Sequence, residues 1–212
     1  MSEISSLPEP ASTAEAGDVA AARKRPKPGE RRIQILQALA AMLEQPGAER
    51  ITTAALAARL SVSEAALYRH FASKAQMFEG LIDFIESTVF GLINQINERE
   101  ADGRARAARI VAMVLQFGEK NPGMTRVMVG DALVFEHERL QQRMNQFFDR
   151  IESTLRQCLR ATTAASSTPT VDAQVAANVL TAFVVGRLQG YARSGFRRLP
   201  IEHLDASLAL ML

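Results

Sequence analysis

The chain has 212 residues, of which 47% are hydrophobic, enough for one large or two small buried cores. Its 25 Lys and Arg against 23 Asp and Glu leave a formal charge of only +2, so despite a pI near 9.0 any attraction to a polyanion must come from a local patch. The one cysteine, Cys158, excludes an internal disulfide and fits a reducing compartment, and the expected location is cytoplasmic: the first residues lack the apolar segment of a secretory leader, and no uncharged apolar run of about 20 residues predicts a membrane span.

Residues 1–28 are rich in Ser, Pro, Ala and Glu with few apolar anchors, which predicts a disordered tail. It ends in a basic run: residues 23–32 carry six cations and one acid. Two readings stand open for this arm: contact with a DNA backbone or minor groove, or simple solubilisation. A helical period follows over 31–45, with Ile33, Leu36, Ala40 and Leu43 on one face and Ile35, Leu39 and Met42 beside it; Pro46-Gly47 ends it.

The segment 51–71, ITTAALAARLSVSEAALYRHF, reads as two short helices joined by a tight turn. Thr52 or Thr53 caps the first, whose apolar face is Leu56, Ala57 and Leu60. The free amides at that start also suit a phosphate. After the turn Ser63 caps a helix over 64–70, with Leu67 and Phe71 turned inward beside Val62. Ala65, Ala66, Tyr68, Arg69 and His70 are left outward. Two small residues at a helix start let the backbone approach base edges, an Ala methyl can touch a thymine methyl, and Tyr, Arg and His reach phosphates or bases. A solvated surface hairpin is the alternative. Ser73 and Gln76 match a capping box opening a long helix over 73–97, with Lys74 at its first position. A cation there opposes the helix dipole, which a bound phosphate would explain and a solvated Lys would not need. The expected division is a tail at 1–28, a DNA-binding head at 29–75 and a helical body at 76–212.

The long helix buries Met77, Phe78, Leu81, Ile82, Ile85, Val89, Leu92, Ile93 and Ile96. Further helices are expected at 104–119, from Asn121-Pro122 to about 129, at 133–159, at 171–193 and at 202–212, with a flexible Ser/Thr/Ala-rich loop at 161–170. No period-2 strand pattern appears, so the fold class is all-α with about nine helices. Gly186 and Gly190 share a helix face, and each costs about 1 kcal/mol relative to Ala, so a close helix approach is expected, within the chain or against a symmetry mate. His70, His137 and His203 are scattered and no phosphate loop or metal-ligand spacing occurs; no enzyme, metal or cofactor is expected. Cys158, between Leu155 and Leu159, reads as a core thiol.

The first helix, the two-helix unit with Ala66-Leu67-Tyr68-Arg69-His70-Phe71, and the Ser73-Lys74 entry resemble the TetR family of bacterial regulators. One departure is Ser61, where that family has glycine in the turn; a non-glycine there carries some strain. The segments 117–123 (FGEKNPG), 81–86, 132–136 and 150–152 are similar to one branch of the family, concerned with nucleoid occlusion. The resemblance covers about residues 31–160. It implies a homodimer on palindromic sites in double-stranded DNA, located on the nucleoid, that engages the division protein FtsZ and needs no small-molecule ligand. It places Thr52, Tyr68, His70 and Lys74 at DNA-contacting positions. Phe84, Lys120 and Asn121 fall at an FtsZ site between the long helix and the next, with Leu92 replacing a basic residue there. The pattern of the residues agrees for Phe84, which falls off the apolar stripe of its helix, although ordinary packing also accounts for it. The competing function is a ligand-responsive repressor with a pocket lined by Met113, Phe117, Met144 and Phe148. A helical scaffold that never touches DNA is the third.

Overall fold

The computed structural model describes residues 29–45, 51–160, 162 and 169–212. The tail at 1–28, the Pro46-Gly47 break and most of the loop at 161–170 lie outside them. Among the described residues there are nine α-helices, one 3-10 turn and no strand.

Helix α1 (Glu30–Leu43) buries Ile35, Leu39 and Leu43, spaced four apart. The expected face beginning at Ile33 is therefore rotated: Ile33 is 57% exposed and Leu36 only partly covered. Helices α2 (Thr53–Arg59) and α3 (Glu64–Tyr68) pack against each other, with α2 lying on α1. Helix α4 (Lys74–Arg99) then runs for 26 residues, about 39 Å at 1.5 Å per residue, from the head through the body. Its buried stripe is the expected one, with Phe90 added; Leu92 and Ile96 are only half covered. The Phe90 ring meets Phe147 edge-on at 5.5 Å and carries the Arg150 guanidinium at 3.7 Å, so it is enclosed by α7 rather than by its own helix's core.

Helix α5 (Gly103–Lys120) starts on Asp102, whose carboxylate accepts from the Ala105 amide at 2.7 Å. Gly103 is required by close packing: a Cβ there would sit 2.1 Å from the Cys158 carbonyl oxygen. Helix α6 (Pro122–Met128) follows, and a 3-10 turn at Asp131–Leu133 separates it from α7 (Glu138–Arg160). The helix expected from residue 133 thus begins five residues later, because Gly130 adopts a left-handed conformation and residues 131–137 form turns. Helix α8 (Pro169–Arg193) packs along α7, its Pro at the first position rather than closing the loop, and α9 (Leu204–Met211) ends the chain.

One contact joins head to body tightly. A Cβ on Gly123 of α6 would lie 2.2 Å from the Ala40 carbonyl oxygen of α1. Three residues on, Arg126 is 7% exposed; it pairs with Asp131 at 2.7 Å and reaches the Leu43 carbonyl at the end of α1. A buried guanidinium satisfied this way is costly to leave unpaired, so α6 fixes the angle of α1.

By length and composition α8 is apolar enough to cross a membrane, with mean hydropathy 1.2 over its most apolar window, although Asp172, Arg187 and Arg193 keep it from being an uncharged run of about 20 residues. The two surfaces of α8 differ. Ala173, Ala177, Leu180, Val184 and Leu188 are sealed against the body, while Val171, Val175 and Val179 are 59%, 56% and 46% exposed. Gly186 and Gly190 continue on α8, and among the described residues no atom lies within 4 Å of an added Cβ, so the described part of the protomer makes no close approach to them.

Candidate nucleic-acid interface

Each short helix of the head is built from its cap inward. The Thr52 hydroxyl accepts from the Ala55 amide at 3.1 Å, and the Ser63 hydroxyl accepts from the Ala66 amide at 3.3 Å. Such caps each contribute about 1 kcal/mol and fix where the helices begin. Between them Ser61 takes φ 54, the left-handed turn that a glycine would adopt without cost. Leu56, Ala57, Leu67 and Phe71 are buried, and Leu60 and Val62 partly so. With Leu67 and Phe71 in the core, the other side of the second helix has to face solvent: Ser63, Ala65, Arg69 and His70 are exposed, Tyr68 is 45% exposed, and Ala66 is half-buried. Helix α3 ends at Tyr68, two residues earlier than expected, so Arg69 and His70 leave it in a turn.

Besides the cap residues Thr52 and Ser63, two more of the expected contact residues have side-chain partners within the chain. Thr53 donates its hydroxyl proton to Glu64 at 2.5 Å, joining α2 to the start of α3. The Lys74 ammonium pairs with the Glu136 carboxylate, whose side chain is 10% exposed, and lies 5.7 Å from the centre of the Phe78 ring. A DNA contact by Lys74 therefore has to share the ammonium with Glu136 or displace it. The capping box at the start of α4 is present in shifted form: Ser73 accepts from the Gln76 amide at 3.2 Å, while the Gln76 side chain accepts from Ala72 at 2.9 Å.

In the body, Phe84 is 47% exposed, as its place off the stripe predicts, and Lys120 is exposed. Asn121 does not cap α6; its side-chain amide donates back to the Phe117 carbonyl at 2.8 Å, closing α5. A surface groove of about 260 Å³ between α4 and α5 is lined by Leu92, Gln95, Ile96, Arg99, Arg109 and Met113. Sequence reasoning missed four of these. The available signal was a pair of stripes mixing apolar and polar residues, Leu92, Gln95, Ile96 and Arg99 on one helix and Arg109 and Met113 on its neighbour. Met113, expected in a ligand pocket, faces this groove instead, while Phe117 and Met144 are packed in the core and Phe148 lies edge-on against Phe147 at 5.1 Å.

The outer side of α4 is tied to α7 by ions: Arg139 to Glu79 at 2.8 Å, and Arg143 to Asp83 and Glu86 at 2.6 Å. Hydrogen bonds donated to those carboxylates, Glu86 first, hold the Arg143 guanidinium above its ordinary value, against the opposing effect of burial. Burial likewise pushes the Cys158 thiol up, and burial with Glu119 and Glu44 pushes the Tyr191 phenol up.

Comparison with known proteins agrees with this construction. Residues 35–81 match the model for bacterial regulatory proteins of the tetR family, and residues 102–212 match the SlmA-like, tetracyclin repressor-like C-terminal domain. Among solved structures, the TetR family transcriptional regulator PfmR from Thermus thermophilus has a TM-score of 0.67 at 22% identity, covering 84% of this chain and 97% of its own. AibR, solved in complex with isovaleryl coenzyme A and operator DNA, has a TM-score of 0.63 at 16% identity, covering 85% and 97%. At those identities the likeness is one of fold. The molecule is thus a TetR-type regulator, an all-helical protein with an N-terminal helix-turn-helix, and not an enzyme.

Its relatives narrow the class. The chain is 52% identical over 182 residues to the nucleoid occlusion factor SlmA of Idiomarina loihiensis, covering 85% of this chain and 93% of that protein. It is 50% identical to that of Vibrio cholerae, covering 85% and 93%, and 48% identical to that of Klebsiella pneumoniae, covering 90% and 97%. The chain belongs to the SlmA family of nucleoid occlusion factors.

Proposed function

We propose that the protein works as a homodimer on palindromic duplex sites of the chromosome, in the cytoplasm and on the nucleoid, and that while bound there it engages FtsZ and blocks assembly of the division ring. The observation that carries the DNA half is the outward side of α3. A helix with Leu67 and Phe71 locked in the core offers Ala65, Ala66, Tyr68, Arg69 and His70 to a major groove. Thr52 and Ser63 present capped helix starts to the backbone, with Thr53 at the α2–α3 junction and Lys74 at the start of α4. Pairing through the exposed valines and glycines of α8 supplies the second half-site.

The FtsZ half rests on the groove between α4 and α5. The helices are joined by a short turn and run antiparallel, so the register that sets Leu92–Arg99 opposite Arg109 and Met113 sets Phe84 opposite Lys120 and Asn121. From Phe84 to Arg99 the surface is about 22 Å long. The groove sets apolar Leu92, Ile96 and Met113 beside the cations Arg99 and Arg109, and Lys120 is exposed at the end of α5, which suits an apolar segment carrying acidic residues. The test is FtsZ polymerisation with the full chain, with and without a cognate duplex. DNA-dependent loss of polymer is expected, and polymer unaffected by protein plus duplex would refute the proposal. An apolar compound that releases the duplex would favour a ligand-responsive repressor instead.

A further inference from the structure

We infer that Arg32 is a positioning residue for the reading helix: it holds the C-terminal end of α3 at the angle from which Ala65, Tyr68 and Arg69 meet the DNA. The inference rests on α3 being the element that enters the groove. With five residues, α3 is too short to hold its own shape in water. Its N-terminal end has two tethers, the Ser63 cap and the Thr53–Glu64 hydrogen bond. Leu67 and Phe71 plug it into the core. Between Leu67 and Phe71 the chain departs from helix at Arg69 and His70, and the backbone bonds of His70 and Phe71 to the Leu67 carbonyl leave the His70 carbonyl to be met from outside.

Arg32 closes that end. Its Nη1 donates to the His70 carbonyl at 2.9 Å across 38 residues of sequence, and its guanidinium carbon lies 4.1 Å from the centre of the Phe71 ring. A cation at a helix C-terminus is favoured by the helix dipole. A planar guanidinium also stacks and donates in one fixed geometry, which the ammonium of a Lys does not reproduce. Arg32 is itself held, because α1 is locked to the body through Gly123 on the Ala40 carbonyl and Arg126 on the Leu43 carbonyl. The reading helix is thereby indexed to the rigid body that sets the distance between half-sites. One amino group on a carbonyl and the face on a ring suit a brace; the side chain is exposed, so salt dependence is what separates this role from a phosphate contact.

The experiment compares full-length wild type, Arg32→Ala and Arg32→Gln. The probes are a duplex selected by the wild type from a random-sequence library and an unrelated duplex of equal length, each titrated over a range of salt. Arg32→Ala is expected to weaken the selected duplex by about tenfold while changing the unrelated duplex less than twofold, with the slope of log affinity against log salt unchanged. Arg32→Gln, which keeps an N–H for the His70 carbonyl, is expected to recover part of the loss. Amide exchange at residues 64–71 should quicken in Arg32→Ala with the melting midpoint of the body unchanged. Equal loss on both duplexes with a salt slope lowered by about 0.9 would make Arg32 a phosphate contact and overturn the inference. Undiminished preference in Arg32→Ala would overturn it as well. A wild type that prefers no duplex would remove the reading of α3 itself.

Discussion

Replacing Gly186 or Gly190 by Ala should strengthen the protomer and weaken the dimer. Among the described residues of one chain neither added methyl meets any atom within 4 Å, so the change carries no steric penalty there. Helix propensity then favours Ala by about 1 kcal/mol per site. In a protein of 212 residues that raises the melting midpoint by about 2–4 °C wherever the monomer is the species observed. Across a two-fold interface the same substitution adds two methyls, one from each copy, where α8 approaches its mate. Overpacking costs about 1–3 kcal/mol per site, so the pair costs about 2–6 kcal/mol. At about 1.4 kcal/mol per factor of ten, the dimer dissociation constant should rise by at least about thirtyfold. Sedimentation velocity over a dilution series measures the dimer, and thermal unfolding at the most dilute point measures the protomer. A dimer as tight as wild type in a more stable Gly190→Ala protein would place the glycines outside the interface and refute the argument.

Gly123→Ala should destabilise the protein by about 2–4 kcal/mol in equilibrium unfolding, because the clash at 2.2 Å is with the Ala40 backbone and neither α6 nor α1 can yield without moving the head. Tyr68→Ala should weaken duplex binding with no loss of thermal stability, since its ring is 45% exposed, whereas Thr52→Ala should lose binding and also about 1 kcal/mol of stability with the Ala55 cap. Phe84→Ala should spare duplex binding and weaken co-sedimentation with FtsZ; equal loss in both measurements would make Phe84 structural. Cys158 is 3% exposed and its thiol is held above the ordinary 9.0, so alkylation of the folded protein should be slow at neutral pH. Because the folded value is the raised one, the thiol's contribution to stability is complete below the ordinary value and is lost as pH climbs from there through the folded value. Urea midpoints of wild type and Cys158→Ala should therefore diverge less as the solution becomes more alkaline than pH 9.

Much of the head was legible from local chemistry. The caps at Thr52, Ser63 and Ser73, the inward Leu67 and Phe71, and the strained turn at Ser61 are each decided within about four residues, and the structure has all of them. The stripe of α4 was legible for the same reason, since a helix of 26 residues repeats its period many times. The face of α1 was misjudged because Ile33 and Ile35 are equally apolar in sequence, and only the positions of α4 and α6 select which of them is covered. The start of α7 was misjudged because the segment after Gly130 is apolar enough to continue a helix, while its 3-10 turn is set by packing on both α6 and α7.

What the sequence determined by itself is the set of helices, their caps and the outward side of the reading helix, because those follow from spacing and from hydrogen bonds to near neighbours. What the tertiary structure alone decided is which surfaces remain open and which polar groups are already occupied. Lys74 is on Glu136, Thr53 is on Glu64, Arg32 is on His70, and α8 is left with an apolar surface that none of the described residues covers. The physical reason is that a pairing across 38 or 62 residues of chain leaves no periodic trace; it exists only once two elements have been packed side by side.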